Sequence, residues 1–256
     1  MGKSEPGNAT GRRTILGISF FAGRAPEAIA AIQGGGLLVV PAAPALKNMD
    51  RDAGYREALL GADLVITDSA LMVMVWNFLE GDSLYRLSGL EYLRELLLQP
   101  DVRRTGNTMW IMASPKSAAA NLQWLKDSGI TVAGEYVYMA PMYGAEIKDE
   151  ALLELIERLR PQHVIVTVGG GTQERLGLYL KRNLSYPPAI HCIGAAIAFL
   201  SGDQVRIPVW VDRFYLCWLF RCLSEPKRYI PRYWDARKLI GLMLRYRDRL
   251  PELRRA

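Results

Sequence analysis

The chain alternates short, wholly apolar runs with longer stretches in which apolar residues recur every three or four positions. The short runs are rich in β-branched residues and predict strands at TILGISF, LLVVPA, DLVITD, TMWIMA, ITVAGEY, HVIVTV and AIHCIG. The longer stretches predict helices at APEAIAAIQ, YREALLG, LEYLRELLL, SAAANLQWLKDSG, DEALLELIERLR and ERLGLYLKRNL. Strands that are apolar on both faces are typical of a parallel sheet covered by helices on both sides. The pattern therefore predicts an α/β, Rossmann-like fold with a mostly parallel sheet flanked by helices.

This alternation stops after Pro208. Two helical patterns follow, VDRFYLCWLFRCLSEP and RYWDARKLIGLMLRYRDRL, and prolines at 226 and 231 divide them. The second pattern carries an apolar stripe at helical spacing, made of Leu239, Met243, Tyr246 and Leu250. We expect a disordered polar tail over residues 1–13, an α/β core over 14–210 and a basic helical appendage over 211–256.

The charge of the chain is concentrated in that last part. Residues 211–256 hold 12 Lys and Arg against 5 Asp and Glu, whereas residues 1–210 hold 20 against 21. A basic end indicates an anionic partner, which is a nucleic acid, a phospholipid surface or a phosphorylated substrate. We do not expect a nucleic acid, because no known nucleic-acid motif is present and Trp218, Leu219 and Phe220 stand among other apolar residues.

Composition excludes several other classes. Half of the residues are hydrophobic and 23% are charged, as in ordinary soluble proteins. No apolar run approaches the roughly 18–20 residues that span a bilayer, and the start MGKSEPGNATGRR is unlike a signal peptide. The three cysteines form no CxxC pair and there are two histidines, so we expect no metal site and a reducing, cytoplasmic location. We also expect no cofactor.

The stretch VTVGGGTQERLGLYLKR (166–182) places three glycines between a predicted strand and a predicted helix. It fits neither the Gly-x-Gly-x-x-Gly fingerprint, since Glu174 stands at the third glycine position, nor the Gly-Lys-Ser/Thr of a phosphate-binding loop. Two interpretations remain equal at this point. One is a tight turn with Thr172 as the helix N-cap, and the other is an anion site at the helix N-terminus.

Asp68 ends the predicted strand DLVITD, and it also has two interpretations. A carboxylate at the carboxyl end of a strand can serve as a general base, and an aspartate before a helix is commonly an N-cap. Position alone slightly favours the cap. Asp50 and Asp52 in MDRDAG suit helix N-terminal acids better than a metal-nucleotide site. His163 and His191 stand near strand starts, where we expect structural roles.

Several spaced stretches together resemble the WecG/TagA/CpsF family of bacterial glycosyltransferases over roughly residues 14–240. RIPVWVDRFYLCWLFRCLSEPKRYIPRY is similar to the family's C-terminal Arg, Trp and Pro pattern, and VGGGTQE to its Gly-x-Gly-x-Pro-Lys-Gln-Glu loop without the Pro-Lys. IGAAIAFLSG resembles GVGGAFDFLAG, ADLVITDS resembles the Asp-Gly loop that carries the family's base, and RLSGLE resembles Arg-x-x-Gly-x-Asp.

The resemblance implies a role for each matching residue. Asp68 becomes the catalytic base of an inverting single displacement, and the corner of Gly169, Gly170 and Gly171 becomes part of a nucleotide-sugar pocket. Gln173 contacts the donor, and Glu174 either acts there or caps the helix. Positive charge at the leaving diphosphate is expected from Arg86, Arg213, Arg221 and Arg228.

By the same resemblance, the partners are a UDP-sugar donor, a polyprenyl-diphosphate-linked glycan acceptor and an anionic membrane surface. The protein is then expected to be peripheral on the inner face of the bacterial cytoplasmic membrane and to act in surface polysaccharide biosynthesis. The chain departs from the family at Pro41, Ala43 and Ala198, where polar residues are expected, and at Ser69, which replaces the glycine after the base. These departures keep an alternative open, a degenerate protein that binds the nucleotide sugar or lipid diphosphate within an assembly complex.

Overall fold

The structure is a computed structural model that describes residues 11–144, 146–203, 219, 222–223 and 226–254. At 228, 229, 232 and 233 it describes the backbone alone. The described strands form one eight-stranded sheet in the order β1-β2-β4-β3-β8-β7-β5-β6. They are β1 (Arg12–Ile15), β2 (Ile18–Phe21), β3 (Gly36–Val39), β4 (Leu64–Ile66), β5 (Thr108–Met112), β6 (Val137–Met139), β7 (His163–Val166) and β8 (Ala189–Cys192). Neighbouring strands are parallel except β1 and β2, which are antiparallel.

Helices cover both faces of this sheet. In the described residues they are α1 (Ala25–Ile32), α2 (Ala43–Leu46), α3 (Ala53–Leu60), α4 (Ala70–Glu80), α5 (Gly89–Leu96), α6 (Pro100–Arg103), α7 (Pro115–Asp127), α8 (Glu150–Leu159), α9 (Thr172–Asn183), α10 (Ala196–Ser201), α11 (Pro226–Ala236) and α12 (Lys238–Tyr246). The predicted α/β fold with a mostly parallel sheet flanked by helices is confirmed.

The core consists of two apolar layers, one on each face of the sheet. Along β3, Leu37 and Val39 point into one layer, while Leu38 points into the other, because successive side chains of a strand alternate between faces. The first layer is closed by α2, α3, α4, α8, α9 and α12, and the second by α1, α5, α7 and α10. Burial on both faces explains why the strands are apolar throughout.

Two strand predictions were wrong in detail. TILGISF is not one strand, because Leu16 (φ 51°) and Gly17 (φ 73°) turn the chain into the β1–β2 hairpin. ITVAGEY is not a strand either, because Gly134–Tyr136 form a 3-10 turn and β6 begins after it, opposite Trp110. The apolar character of ITVAGEY comes from Ile130 and Val132, which pack into the second core layer from a loop.

The pattern also missed helix α4, which follows Asp68. Its sequence, ALMVMVWNFLE, has no charge before Glu80 and one amide, Asn77, so no polar face marks its period. Met72, Val73 and Trp76 form its buried side.

The C-terminal helices pack on the first core layer. Leu239 and Met243 are fully buried and Tyr246 and Leu250 lie partly buried against them, as the predicted stripe requires. Lys47, just after α2, forms an ion pair with Asp235 of α11. The division of the chain at residue 211 stays a prediction.

Candidate functional site

The carboxyl ends of the parallel strands converge at one edge of the sheet, with β3 and β8 at its centre. In open α/β sheets this edge binds ligands. The loops that gather there are 40–42 after β3, 67–69 after β4, 167–171 after β7 and 193–195 after β8. The candidate residues predicted within the core all lie on or beside these loops.

Asp68 follows β4, and the structure separates its two interpretations. The N-cap of α4 is Ser69, whose Oγ accepts a hydrogen bond from Met72 N at 3.2 Å. Asp68 is therefore not needed as a cap. Its Oδ1 instead accepts from the backbone N–H of Gly89 at 2.9 Å, and its side chain is 24% exposed. The geometry leaves a partly exposed carboxylate at the ligand edge, anchored by a backbone donor.

Arg86 holds the main chain of Asp68 in place. Its Nε donates to the carbonyl oxygen of Asp68 at 2.7 Å, and its Nη2 lies 3.8 Å from Asp68 Oδ1, with the side chain only 9% exposed. Thr67 Oγ1 adds a second link between the loops, because it donates to Tyr85 O at 2.8 Å and accepts from Leu87 N at 2.9 Å. The Asp68 loop and the loop before α5 thus form one rigid unit.

Gly89 completes that unit at the start of α5. A Cβ at this position would lie 2.8 Å from Val40 Cγ1, too close for an undisturbed contact, and 3.8 Å from Asp68 Oδ1. The glycine of RLSGLE therefore lets the N–H approach the carboxylate.

The glycine corner ends in a tight turn whose N-cap is Gly171, with φ 91°, and not Thr172. Gly171 N donates to Glu174 Oε2 at 2.6 Å, and Arg175 Nε donates to Gly171 O at 3.1 Å. Gly169 and Gly170 are exposed, and a Cβ at either would meet no atom of the described residues within 4 Å. Their main chain is consequently open to a ligand at the positive end of α9.

Gln173 and Glu174 lie buried beneath this corner. Gln173 Nε2 donates to Glu174 Oε1 at 3.1 Å, while Gln173 Oε1 is buried and has no hydrogen-bond partner among the described residues. Burial raises the pKa of Glu174 to about 7. Glu174 therefore caps the first turn of α9 and also orients the Gln173 amide. An unpartnered buried acceptor is costly, so Gln173 Oε1 suits a ligand that supplies a donor.

The loop after β8 brings the two sides together. A Cβ on Gly89, beside Asp68, would lie 3.8 Å from Ile193 O, and one on Gly194 would lie 3.3 Å from Gln173 Oε1. Asp68 and Gln173 thus flank the same loop.

Arg213 and Arg221 lie outside the described residues, and Arg228 belongs to α11 with its side chain outside them.

A polar pocket of about 200 Å³ opens between α2, α3 and the glycine corner. It is lined by Pro44, Ala45, Asn48, Asp52, Tyr55, Gly170, Gly171, Thr172 and Arg175. Burial and the Glu174 charge raise the pKa of Tyr55, whose hydroxyl has no hydrogen-bond partner in the part of the chain that the structure describes. Sequence reasoning missed Asn48, Tyr55 and Arg175, because no motif marks them.

The acids of MDRDAG have different roles. Asp52 is the N-cap of α3 and accepts from Tyr55 N at 2.9 Å, which confirms its interpretation as a helix N-terminal acid. Asp50, in contrast, is buried and pairs with Arg254 Nε at 2.6 Å.

The two histidines lie in the interior. His163 Nδ1 is 3.1 Å from His191 Nε2, and His191 Nδ1 is 2.8 Å from the hydroxyl of Tyr92. Burial lowers the pKa of both rings, so both are neutral at physiological pH. The structural roles expected for both histidines fit this buried series of side-chain hydrogen bonds.

Two negative findings hold for the described ranges. Within them, no group of three His, Cys, Asp or Glu side chains could hold a metal ion. Nor does any helix of those ranges have the length and apolar character to cross a membrane.

Comparison with known proteins assigns the chain a family. The model of the glycosyl transferase WecG/TagA/CpsF family matches residues 13–252. Relatives named N-acetylglucosaminyldiphosphoundecaprenol N-acetyl-beta-D-mannosaminyltransferase occur in three bacteria. The protein of Bacillus spizizenii is 26% identical over 191 residues, which is 71% of this chain and 70% of the relative. That of Bacillus subtilis is 23% identical over 192 residues (72% and 71%), and that of Staphylococcus aureus 20% over 196 (75% and 74%).

Proposed function

We propose a donor, an acceptor and a catalytic base for this chain, which belongs to the WecG/TagA/CpsF family and is a glycosyltransferase. The donor is a UDP-sugar and the acceptor is a glycan linked to a polyprenyl diphosphate. Transfer inverts the anomeric centre and serves bacterial surface polysaccharide biosynthesis. The names of the three relatives support the acceptor class, since each names a diphosphoundecaprenol-linked sugar as its substrate.

The observation that carries the proposal is the setting of Asp68 at the ligand edge. One carboxylate oxygen is held by Gly89 N–H, and the backbone below is fixed by Arg86. Asp68 takes the proton of an acceptor hydroxyl while that oxygen forms a bond to the anomeric carbon. The bond from the anomeric carbon to the diphosphate oxygen breaks, and UDP leaves with the electron pair.

The donor side is built on the glycine corner. The open main chain of Gly169 and Gly170, and the positive end of α9, suit the negative charge of a nucleotide. Gln173 Oε1 then accepts a hydrogen bond from the donor. Charge on the leaving diphosphate is met by Arg86 together with Arg213, Arg221 and Arg228.

The sugar specificity differs from the family pattern. Pro41, Ala43 and Ala198 are buried and apolar where polar contacts are expected, so their positions offer no side-chain hydrogen bond to a sugar. We therefore infer a donor whose recognition depends more on Gln173 and the main chain.

The site works at the inner face of the cytoplasmic membrane, with the chain bound peripherally. On α11, Ile230 and Trp234 are exposed one helical turn apart, and Arg237 stacks on the Trp234 ring at 4.1 Å. An exposed tryptophan with a neighbouring cation suits a headgroup layer.

The test is a transfer assay with a panel of UDP-sugars and short polyprenyl-diphosphate-linked acceptors, read by mass spectrometry. Asp68→Asn keeps an oxygen for Gly89 N–H but removes the base, so transfer should fall by about 10²- to 10⁴-fold with an unchanged melting temperature. Asp127→Asn, an exposed carboxylate at the end of α7, is the matched control and should retain full activity. Wild-type transfer by Asp68→Asn would exclude Asp68 as the base. UDP binding by the wild type without any product would instead support the degenerate binding protein.

A further inference from the structure

Helix α4 presents an apolar surface to solvent. Phe78 is 87% exposed and Met74 is 49% exposed, and they lie one turn apart on the side opposite Met72, Val73 and Trp76. The one amide of the helix, Asn77, is engaged with the backbone of Leu84 through both side-chain atoms. Exposed apolar side chains grouped on one helix face indicate a contact surface.

Helix α12 lies beside α4 and runs in the same direction. Both pack against each other on the first core layer. Helix α4 starts at the carboxyl edge of the sheet, after β4. Helix α12 follows α11, which packs on α2 at that edge, and it ends where Arg247 O accepts from Leu16 N at the opposite edge. Near their ends, Arg247 pairs with Glu80 at 2.8 Å.

This arrangement extends the apolar surface onto α12. Leu244 is 56% exposed and precedes Arg247 by three residues, so it lies on the flank of α12 that faces the end of α4. Met74, Phe78 and Leu244 together are called the α4–α12 face below.

We propose that the α4–α12 face is a membrane contact that inserts into a bilayer surface containing anionic lipids. Charge selects this occupant. Residues 237–249 hold five Lys and Arg against one Asp. Lys238 pairs with Asp235 and Arg247 with Glu80, which leaves Arg237, Arg245 and Arg249 against Asp248, so α12 and its ends keep a basic border. A second copy of the chain would place this basic border against itself, whereas anionic headgroups complement it.

The contact deepens the proposed function and rests on it, because it ties the membrane to the catalytic carboxylate. Helix α4 begins two residues after Asp68, and at 1.5 Å per residue Phe78 lies about 15 Å along the chain from Asp68. Phe78 lies towards the edge of the sheet opposite the ligand edge, so insertion of the flank of α4 holds Asp68, at the other end of this helix, within about 15 Å of the inserted side chain. The diphosphate of a lipid-linked acceptor lies in the headgroup layer at that membrane surface. Helix α4 of the core then contacts the membrane in addition to the C-terminal appendage.

The test compares the double variant Met74→Ser/Phe78→Ser with Met142→Ser, a control that removes a 99% exposed methionine outside the α4–α12 face. Co-sedimentation with vesicles of phosphatidylcholine and phosphatidylglycerol should show at least a tenfold loss of partition for the double variant. Transfer to a long-chain acceptor embedded in these vesicles should fall alike. Transfer to a short-chain acceptor in solution should stay at the wild-type level.

Three results would overturn the proposal. The first is unchanged vesicle partition. The second is unchanged partition with loss of a dimer in light scattering, which would make a second copy the occupant. The third is a melting temperature lowered by several degrees with unchanged partition, which would mean that residues of this chain outside the described ranges cover the face. If wild-type protein binds vesicles through this face but transfers no sugar to either acceptor, the proposed function fails and the membrane contact stands.

Discussion

Glu174 makes the stability of this protein depend on pH in a direction that can be measured. Its carboxyl group is fully buried, and burial raises its pKa from 4.5 to about 7 against the lowering effect of its hydrogen bonds. The unfolded chain releases this proton near pH 4.5, whereas the folded protein holds it to about pH 7. The stabilisation is therefore complete below pH 4.5 and is lost as the pH rises to about 7.

The size of the effect follows from the two pKa values. A rise from 4.5 to about 7 corresponds to about 3 kcal/mol between the two protonation states. Glu174→Gln removes the titration. In the wild type the two carboxylate oxygens of Glu174 accept from Gly171 N–H and from Gln173 Nε2. The amide of the variant keeps one of these oxygens, and loss of the other lowers the free energy of unfolding by about 1–3 kcal/mol at every pH.

The measurement is urea unfolding of the wild type and Glu174→Gln at pH 4.5, 6 and 8. The difference in free energy of unfolding, variant minus wild type, should increase by ~3 kcal/mol between pH 4.5 and 8. His163 and His191 titrate equally in both proteins, so their contribution cancels. Glu252→Gln, an exposed acid near the C-terminus, should follow the wild type at every pH. Parallel curves for wild type and Glu174→Gln would refute the raised pKa.

Two glycines give further expected outcomes. A Cβ on Gly177 of α9 would lie 2.6 Å from both Cys192 Sγ and Leu37 Cδ1. Gly177→Ala should therefore lower the free energy of unfolding, measured in urea, by about 1–3 kcal/mol. The control Gly241→Ala, on the exposed side of α12, should not lower it. Gly89→Ala should reduce kcat by displacing the N–H that holds Asp68, and Val40→Ala in the same chain should restore part of it, since Val40 Cγ1 is the atom at 2.8 Å. Loss of kcat without rescue would show that contact with Val40 is not the cause, which leaves the two other neighbours of that Cβ, Asp68 Oδ1 and Ile193 O, each at 3.8 Å.

Much of the fold was predictable because the strands and most helices differ in period. The prediction was wrong where tertiary contacts decide. The turn at Leu16 and Gly17 depends on backbone bonds to residues 247 and 248, far along the chain. Helix α4 carries no polar period because its outer side is apolar as well.

The candidate site was predictable in part, for a similar reason. Residues in motifs, such as Asp68, Arg86 and Gln173, could be named from sequence. The buried hydroxyl of Tyr55, without a partner among the described residues, and the role of Ser69 as the N-cap depend on which neighbours the fold supplies.

The departures from the family pattern are distributed in a way that bears on activity. Gly89 and Arg86 still hold Asp68, and Glu174 still orients the Gln173 amide, which lies beside Gly194. The lost polar residues would stand after β3, at the start of α2 and within α10, where Pro41, Ala43 and Ala198 are buried. Decay of the enzyme would be expected to loosen the contacts that hold Asp68, the proposed base. Since these contacts are intact and the lost polar side chains are ones expected to meet the sugar, the arrangement favours a change in the sugar that is recognised over a loss of the chemistry.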